Sequence, residues 1–144
     1  MSVADIAHNV TNIIARIKEA NSRDAKVVVF PELCMTGYTC NDLFLQELLL
    51  DKICDGLKEI LAASIATDML IVVGFPFFLH NSLYNVAAVI HEGKILGIVP
   101  KQHIPNYSEF YEARHFTTPG KGYERITLTA LGDAGKDIPF GTNL

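Results

Sequence analysis

Two apolar runs in this chain end in the same way. Lys26-Val27-Val28-Val29-Phe30 stops at Pro31 and delivers Glu32; Ile95 to Val99 stops at Pro100 and delivers Lys101. The first run is short, β-branched and apolar on both parities, which predicts a strand buried on both faces. Proline ends such a strand because it has no N–H for the ladder. A chain of this kind is committed to a sheet, and its two charged residues are committed to strand ends, where ligand sites of α/β sheets gather. If the strands finish at one edge, a carboxylate and an ammonium meet in a largely apolar pocket. That pair suits nucleophilic acyl chemistry: the carboxylate takes a proton from a nucleophile, and the ammonium stabilises an oxyanion. Taken singly, either residue also reads as a solvated strand end.

The remaining pattern predicts what surrounds the sheet. Val3, Ile6, Ala7, Val10, Ile13, Ile14, Ile17 and Ala20 recur at helical spacing over residues 3–20, with Ser2-x-x-Asp5 resembling a capping box. A second helix is expected from about Leu43 to Ala66, capped by Asp42, with Gly56 able to break it in two. Met69 to Gly74 reads as a buried strand closed by Gly74-Phe75-Pro76. Leu83–Ile90 and Ile95–Val99 flank His91-Glu92-Gly93-Lys94 as a hairpin. Residues 101–122 form a long loop of the kind that carries function. Tyr123 to Leu131 is a further strand, and residues 137–144 read as a loop. The order predicts an α/β layered domain with helices covering a largely buried sheet.

With 144 residues, 49% apolar and 19% charged, the chain is sized for one globular domain. A net charge of −4 without a basic run argues against nucleic acid. No 18-residue apolar stretch suggests a membrane span, and Met1 to Asp5 does not read as a signal peptide. Cys34, Cys40 and Cys54 are odd in number and form no C-x-x-C, so neither a disulfide framework nor a metal site is expected, and a reducing cytoplasm is the expected compartment. Cys34 is two residues beyond Glu32, on the same face if the segment is extended, so it or Cys40 is conceivable as a nucleophile, but buried, inert cysteines are the commoner reading of both. Cys54 lies on a helical apolar face and reads as core.

The stretch Val27-Val-Val-Phe-Pro-Glu-Leu-Cys-Met-Thr-Gly-Tyr-Thr-Cys-Asn-Asp-Leu-Phe44 resembles the first signature of the nitrilase, or carbon–nitrogen hydrolase, superfamily. Its Thr36-Gly37-Tyr38-Thr39-Cys40-x-Asp42-Leu43-Phe44 extension narrows the resemblance to the glutaminase domains of glutamine-dependent NAD synthetases. Lys101-x-x-Ile104-Pro105-Asn106-Tyr107-x-Glu109-Phe110-Tyr111-Glu112-x-Arg114-x-Phe116 is similar to the second signature of that branch. The resemblance implies a nitrilase-like α-β-β-α sandwich, here incomplete, with the first strand and the C-terminal half missing. It implies that residues 1–144 form a partial hydrolase domain of a glutamine-hydrolysing NAD synthase, with glutamine as substrate. The synthetase domain of the same parent chain, which would use ATP and magnesium, is absent; no cofactor is expected in the residues at hand.

The resemblance also implies roles. Glu32 would be the general base and Lys101 the oxyanion-side lysine, with Tyr38, Tyr107 and Glu109 near the bound glutamine. The tyrosines also read as core aromatics with a wetted hydroxyl, and Glu109 and Glu112 as partners of Arg114. The family's nucleophile elbow does not occur, so the chain alone is expected to be inactive, and Asn41 stands where a glycine is usual. A stand-alone amidase and a catalytically dead assembly module remain the alternatives. The strand at 26–30 would keep an unpaired apolar edge, which predicts a homo-oligomer or other self-association.

Overall fold

In a computed structural model, the structure describes residues 2–40, 43–44, 46–104 and 115–144. The expected cap Asp42 lies outside them. Two helices, α1 (Ile6–Ser22) and α2 (Glu47–Ser64), pack on one side of a mixed six-stranded sheet. Its strands are β1 (Val27–Val29), β2 (Leu70–Leu79), β3 (Ser82–His91), β4 (Lys94–Pro100), β5 (Tyr123–Ile126) and β6 (Ile138–Gly141). They lie in the order β1-β2-β3-β4-β6-β5, with β1 parallel to β2 and β4 parallel to β6. The layered α/β class expected from the sequence is therefore present.

The helices follow the apolar stripes. α1 buries Ile6, Val10, Ile13 and Ile17, and α2 buries Leu49, Ile53, Leu57, Ile60 and Leu61. Each such side chain removed from water contributes roughly 1.5–3 kcal/mol. The N-cap of α1 is Asp5, whose carboxylate accepts from the His8 N–H at 3.1 Å. Ser2 is not the cap; its backbone N–H and carbonyl are held instead by the Asn9 side chain. Gly56 does not break α2. It is where α1 crosses, and a Cβ there would lie 2.7 Å from Val10 Cγ2.

Four strand expectations are corrected. β1 is not buried on both faces: Val27 and Val29 are 55% and 67% exposed, because both helices lie on the face opposite them. β2 does not stop at Gly74-Phe75-Pro76 but runs to Leu79. In an antiparallel pair, alternate residues turn their N–H and C=O to opposite neighbours. Gly74 turns its carbonyl to Met35 N on the β1 side, so Pro76, of the same parity, points its missing donor past the end of β1 and breaks no ladder bond. The uninterrupted β2 then joins β3 through a two-residue turn, His80-Asn81, both at positive φ. The second hairpin is as expected, turning on Glu92-Gly93 at φ 44° and 76°. The last strand expectation, Tyr123–Leu131, shortens to β5, and residues 129–135 form a 3-10 stretch. The segment read as a trailing loop contains β6, which inserts between β4 and β5, pairing Ile98 with Phe140.

One face of the sheet carries Ile71, Val73, Phe75, Ala88, Ile90 and Ile98 against the helices, all buried. The other face carries Val72, Gly74, Ala87, Val89 and Val99, and two open clefts lie on it. Among the described residues no helix is long and apolar enough to cross a membrane.

Candidate active site

The end of β1 is tied to β2 by the Phe30 N–H to Val72 carbonyl bond, at 2.9 Å. Beyond Pro31 the chain does not stay extended. It curls through a series of turns in which Cys34 N bonds Pro31 O at 3.2 Å, and Thr36 N and Gly37 N both bond Leu33 O. Leu33 takes φ +50° although fully buried, a left-handed conformation that costs roughly 1–2 kcal/mol for an L-residue. Gly37 takes φ +81° at the exit, where the Thr36 carbonyl accepts from Ala4 N. This tight curl stands Glu32 upright over β2 and β3. Room for it exists because position 74 is glycine: a Cβ there would lie 2.8 Å from Leu33 N and 3.3 Å from Glu32 Cα.

Lys101 arrives from the end of β4, its backbone N–H donating to the Asn85 carbonyl at 2.8 Å. Its ammonium lies 2.7 Å from Glu32 Oε1, across 69 positions of sequence. The two strand-end charges expected to meet therefore do meet. The pair is more open than a buried pocket would make it, with 42% of the Glu32 side chain and 27% of the Lys101 side chain exposed. It stands in a cleft of about 400 Å³ on the sheet face opposite the helices, lined by Val29, Phe30, Val72, Ala87 and Val99 beside the polar residues. The apolar floor is as expected.

Sequence reading missed Asn85. It sits on β3 opposite Pro76, only 3% exposed, and its side-chain amide donates to Glu32 Oε1. The signal was a lone polar residue within an otherwise apolar strand, Leu83 to Ile90, which demands a partner once buried.

The cysteines do not join the pair. The curl turns Cys34 away from Glu32 into the core, where its Sγ accepts from Gly74 N at 3.4 Å and approaches Gly74 O at 3.5 Å. Burial pushes its thiol up to about 11. The extended-segment premise that put Cys34 beside Glu32 is thus wrong. Cys40 is buried against the Thr36 carbonyl at 3.0 Å, and burial raises its pKa as well. Cys54, on α2, is raised by burial and by nearby Asp51. Thiols held in the protonated form are poor nucleophiles.

Tyr38 lies in the same loop at the margin of exposure and is not among the described residues lining the cleft. Tyr107 and Glu109 lie outside the described residues, as do Glu112 and Arg114. Asp68, His91 and Glu92 bring three possible metal ligands together, but at the opposite end of the β2–β3 pair, mostly exposed, with Lys26 already paired to Asp68 at 3.2 Å.

The family model for carbon-nitrogen hydrolases matches residues 1–142. The chain belongs to the carbon–nitrogen hydrolase family. It is 38% identical over 143 residues to a glutamine-dependent NAD(+) synthetase of Mycobacterium tuberculosis, covering 99% of this chain and 20% of that protein. A synthetase of the same description from Aquifex aeolicus is 35% identical over 131 residues, covering 91% and 22%. The chain thus spans about a fifth of the length of these relatives. The crystal structure of a glutamine-dependent NAD(+) synthetase from Cytophaga hutchinsonii superposes with a TM-score of 0.81 at 27% identity, covering 98% of this chain and 23% of that one. A carbon–nitrogen hydrolase from Helicobacter pylori G27, at 21% identity and TM-score 0.71, covers 90% and 45% and shows the shared fold. The nitrilase-like fold expected from the two signatures is therefore the one observed.

Proposed function

We propose that this chain supplies the base and oxyanion side of a glutamine-hydrolysing site, the glutaminase part of a glutamine-dependent NAD synthetase. The observation that carries the reading is the Glu32–Lys101 pair, 2.7 Å apart at two strand ends over an apolar cleft. The identity to NAD synthetases supports the choice of glutamine. A cysteine thiol gives its proton to Glu32 and attacks the glutamine side-chain carbonyl carbon. The Lys101 ammonium faces the oxyanion that forms. Collapse of the tetrahedral intermediate expels ammonia, which takes the proton from Glu32 as it leaves. Water, deprotonated by Glu32, then cleaves the thioester to glutamate and restores the thiol.

The nucleophile in this scheme comes from outside these 144 residues, because all three thiols here are buried or raised by their surroundings. Tyr38, Tyr107 and Glu109 serve on the substrate side. Ammonia is passed to a synthetase portion that uses ATP and magnesium to amidate deamido-NAD. Unpaired thiols and an ATP-consuming partner reaction fit the cytoplasm.

The test is NAD formation from deamido-NAD and ATP by the full-length gene product, with either glutamine or ammonium as nitrogen source. Glu32→Gln is expected to abolish the glutamine-driven reaction and leave the ammonium-driven one. Glutamine hydrolysis with no NAD formed from either source would favour a stand-alone amidase. Unaltered glutamine use by Glu32→Gln would contradict the proposal.

A further inference from the structure

We propose that Asn85 is a positioning residue for Glu32. Its amide and the Lys101 ammonium together tie down Oε1, so Oε2 is the atom that takes the proton in the reaction assigned above. The inference rests on that functional reading and assigns a division of labour within the carboxylate.

Three observations carry it. First, Asn85 is buried at 3% exposure on the face of the sheet opposite the helices, beneath the charged pair. A carboxamide is costly to bury there unless it is bonded. An ionised carboxylate only accepts, so the group it meets at Glu32 is the Nδ2 donor. Second, both donors converge on one oxygen. Asn85 Nδ2 and Lys101 Nζ each bond Oε1, and among the described residues Oε2 has no such partner. An oxygen saturated by two donors is the poorer base, and the uncommitted one carries the available lone pairs. Third, Asn85 holds the other half of the pair as well. Its backbone carbonyl accepts the Lys101 N–H at 2.8 Å, so one residue fixes the carboxylate by its side chain and the lysine by its main chain. Asn85 lies opposite Pro76 on β2 and bonds Lys101 just past the end of β4, while Gly74 on β2 gives Glu32 space.

Removing the Asn85 amide lets the carboxylate rotate, which lowers the rate of the step it performs more than it lowers substrate affinity.

The experiment measures kcat and KM for glutamine-dependent ammonia release by the full-length gene product, for the wild type, Asn85→Ala and Asn85→Asp, with melting temperatures alongside. Asn85→Asp is isosteric and keeps the packing, so the outcome does not depend on the alanine variant folding. Expected is a fall in kcat of about 10- to 100-fold in both variants with KM changed less than threefold. Folded variants with the wild-type kcat, or a loss confined to KM, would overturn the inference, as would failure of both variants to fold. Wild-type protein that releases no ammonia would overturn the function proposed above and this inference with it. Wild-type release with unaltered variants overturns this inference alone.

Discussion

Position 74 shows how one missing side chain shapes the site. The peptide after Glu32 runs so close over Gly74 that a methyl group would meet backbone atoms, which cannot swing aside as a side-chain tip can. Gly74→Ala is expected to cost roughly 1–3 kcal/mol by overpacking. By shifting Glu32 it should also cost about 100-fold in glutamine hydrolysis, measured beside urea unfolding. Cys34 gives the residue-scale pH prediction. Its folded thiol is raised to about 11 from an ordinary 9.0 by burial. Below pH 9 the thiol is protonated in both states and contributes no pH dependence. Between pH 9 and 11 the unfolded chain ionises first, so stability falls as pH rises, by on the order of 2–3 kcal/mol at most. Urea unfolding at pH 8 and pH 11 should show that extra loss in the wild type and not in Cys34→Ala.

At the scale of elements, α1 is held to the site loop by a buried asparagine. Asn9, 1% exposed, accepts from Ser2 N and donates to Ser2 O, both at 2.7 Å, and donates to Met35 O at 3.1 Å. Asn9→Ala strands those backbone groups and should cost about 2–3 kcal/mol in chemical unfolding, with proteolysis rising first in the segment around Met35. The helices were legible because apolar spacing alone decides which face packs, and Ile6 to Ile17 made that spacing plain. The pair Glu32 and Lys101 was legible because a proline and a charge after an apolar strand mark a strand end whatever the sheet order. Three features were not legible. Pro76 looks like a stop, yet it is tolerated because its parity turns it away from β3. The Ile138–Gly141 strand exists only by pairing with β4 and β5, which no local pattern announces. The curl that carries Cys34 away from Glu32 depends on Leu33 at positive φ, a strain imposed by tertiary contacts.

Among the described residues, α1 and α2 both lie on one side of the sheet. Val27, Val29, Leu70, Leu96, Val99 and Tyr123 are exposed large apolar side chains, and β1 ends the sheet with only β2 as its neighbour among the described residues. Exposed apolar surface and an unpaired strand edge both favour association. The 144-residue chain should therefore elute from size exclusion larger than a monomer, increasingly so with concentration; a sharp monomer peak at high concentration would contradict this. The central claim, however, concerns how two strand ends from distant parts of the chain act as one unit. A double-mutant cycle in the full-length gene product tests it, following glutamine hydrolysis in Glu32→Gln, Lys101→Ala and the double variant. The account predicts that each single change costs about 1,000-fold or more and that the double change costs little beyond the worse single one. Near-wild-type hydrolysis in either single variant, or losses that simply multiply, would contradict it.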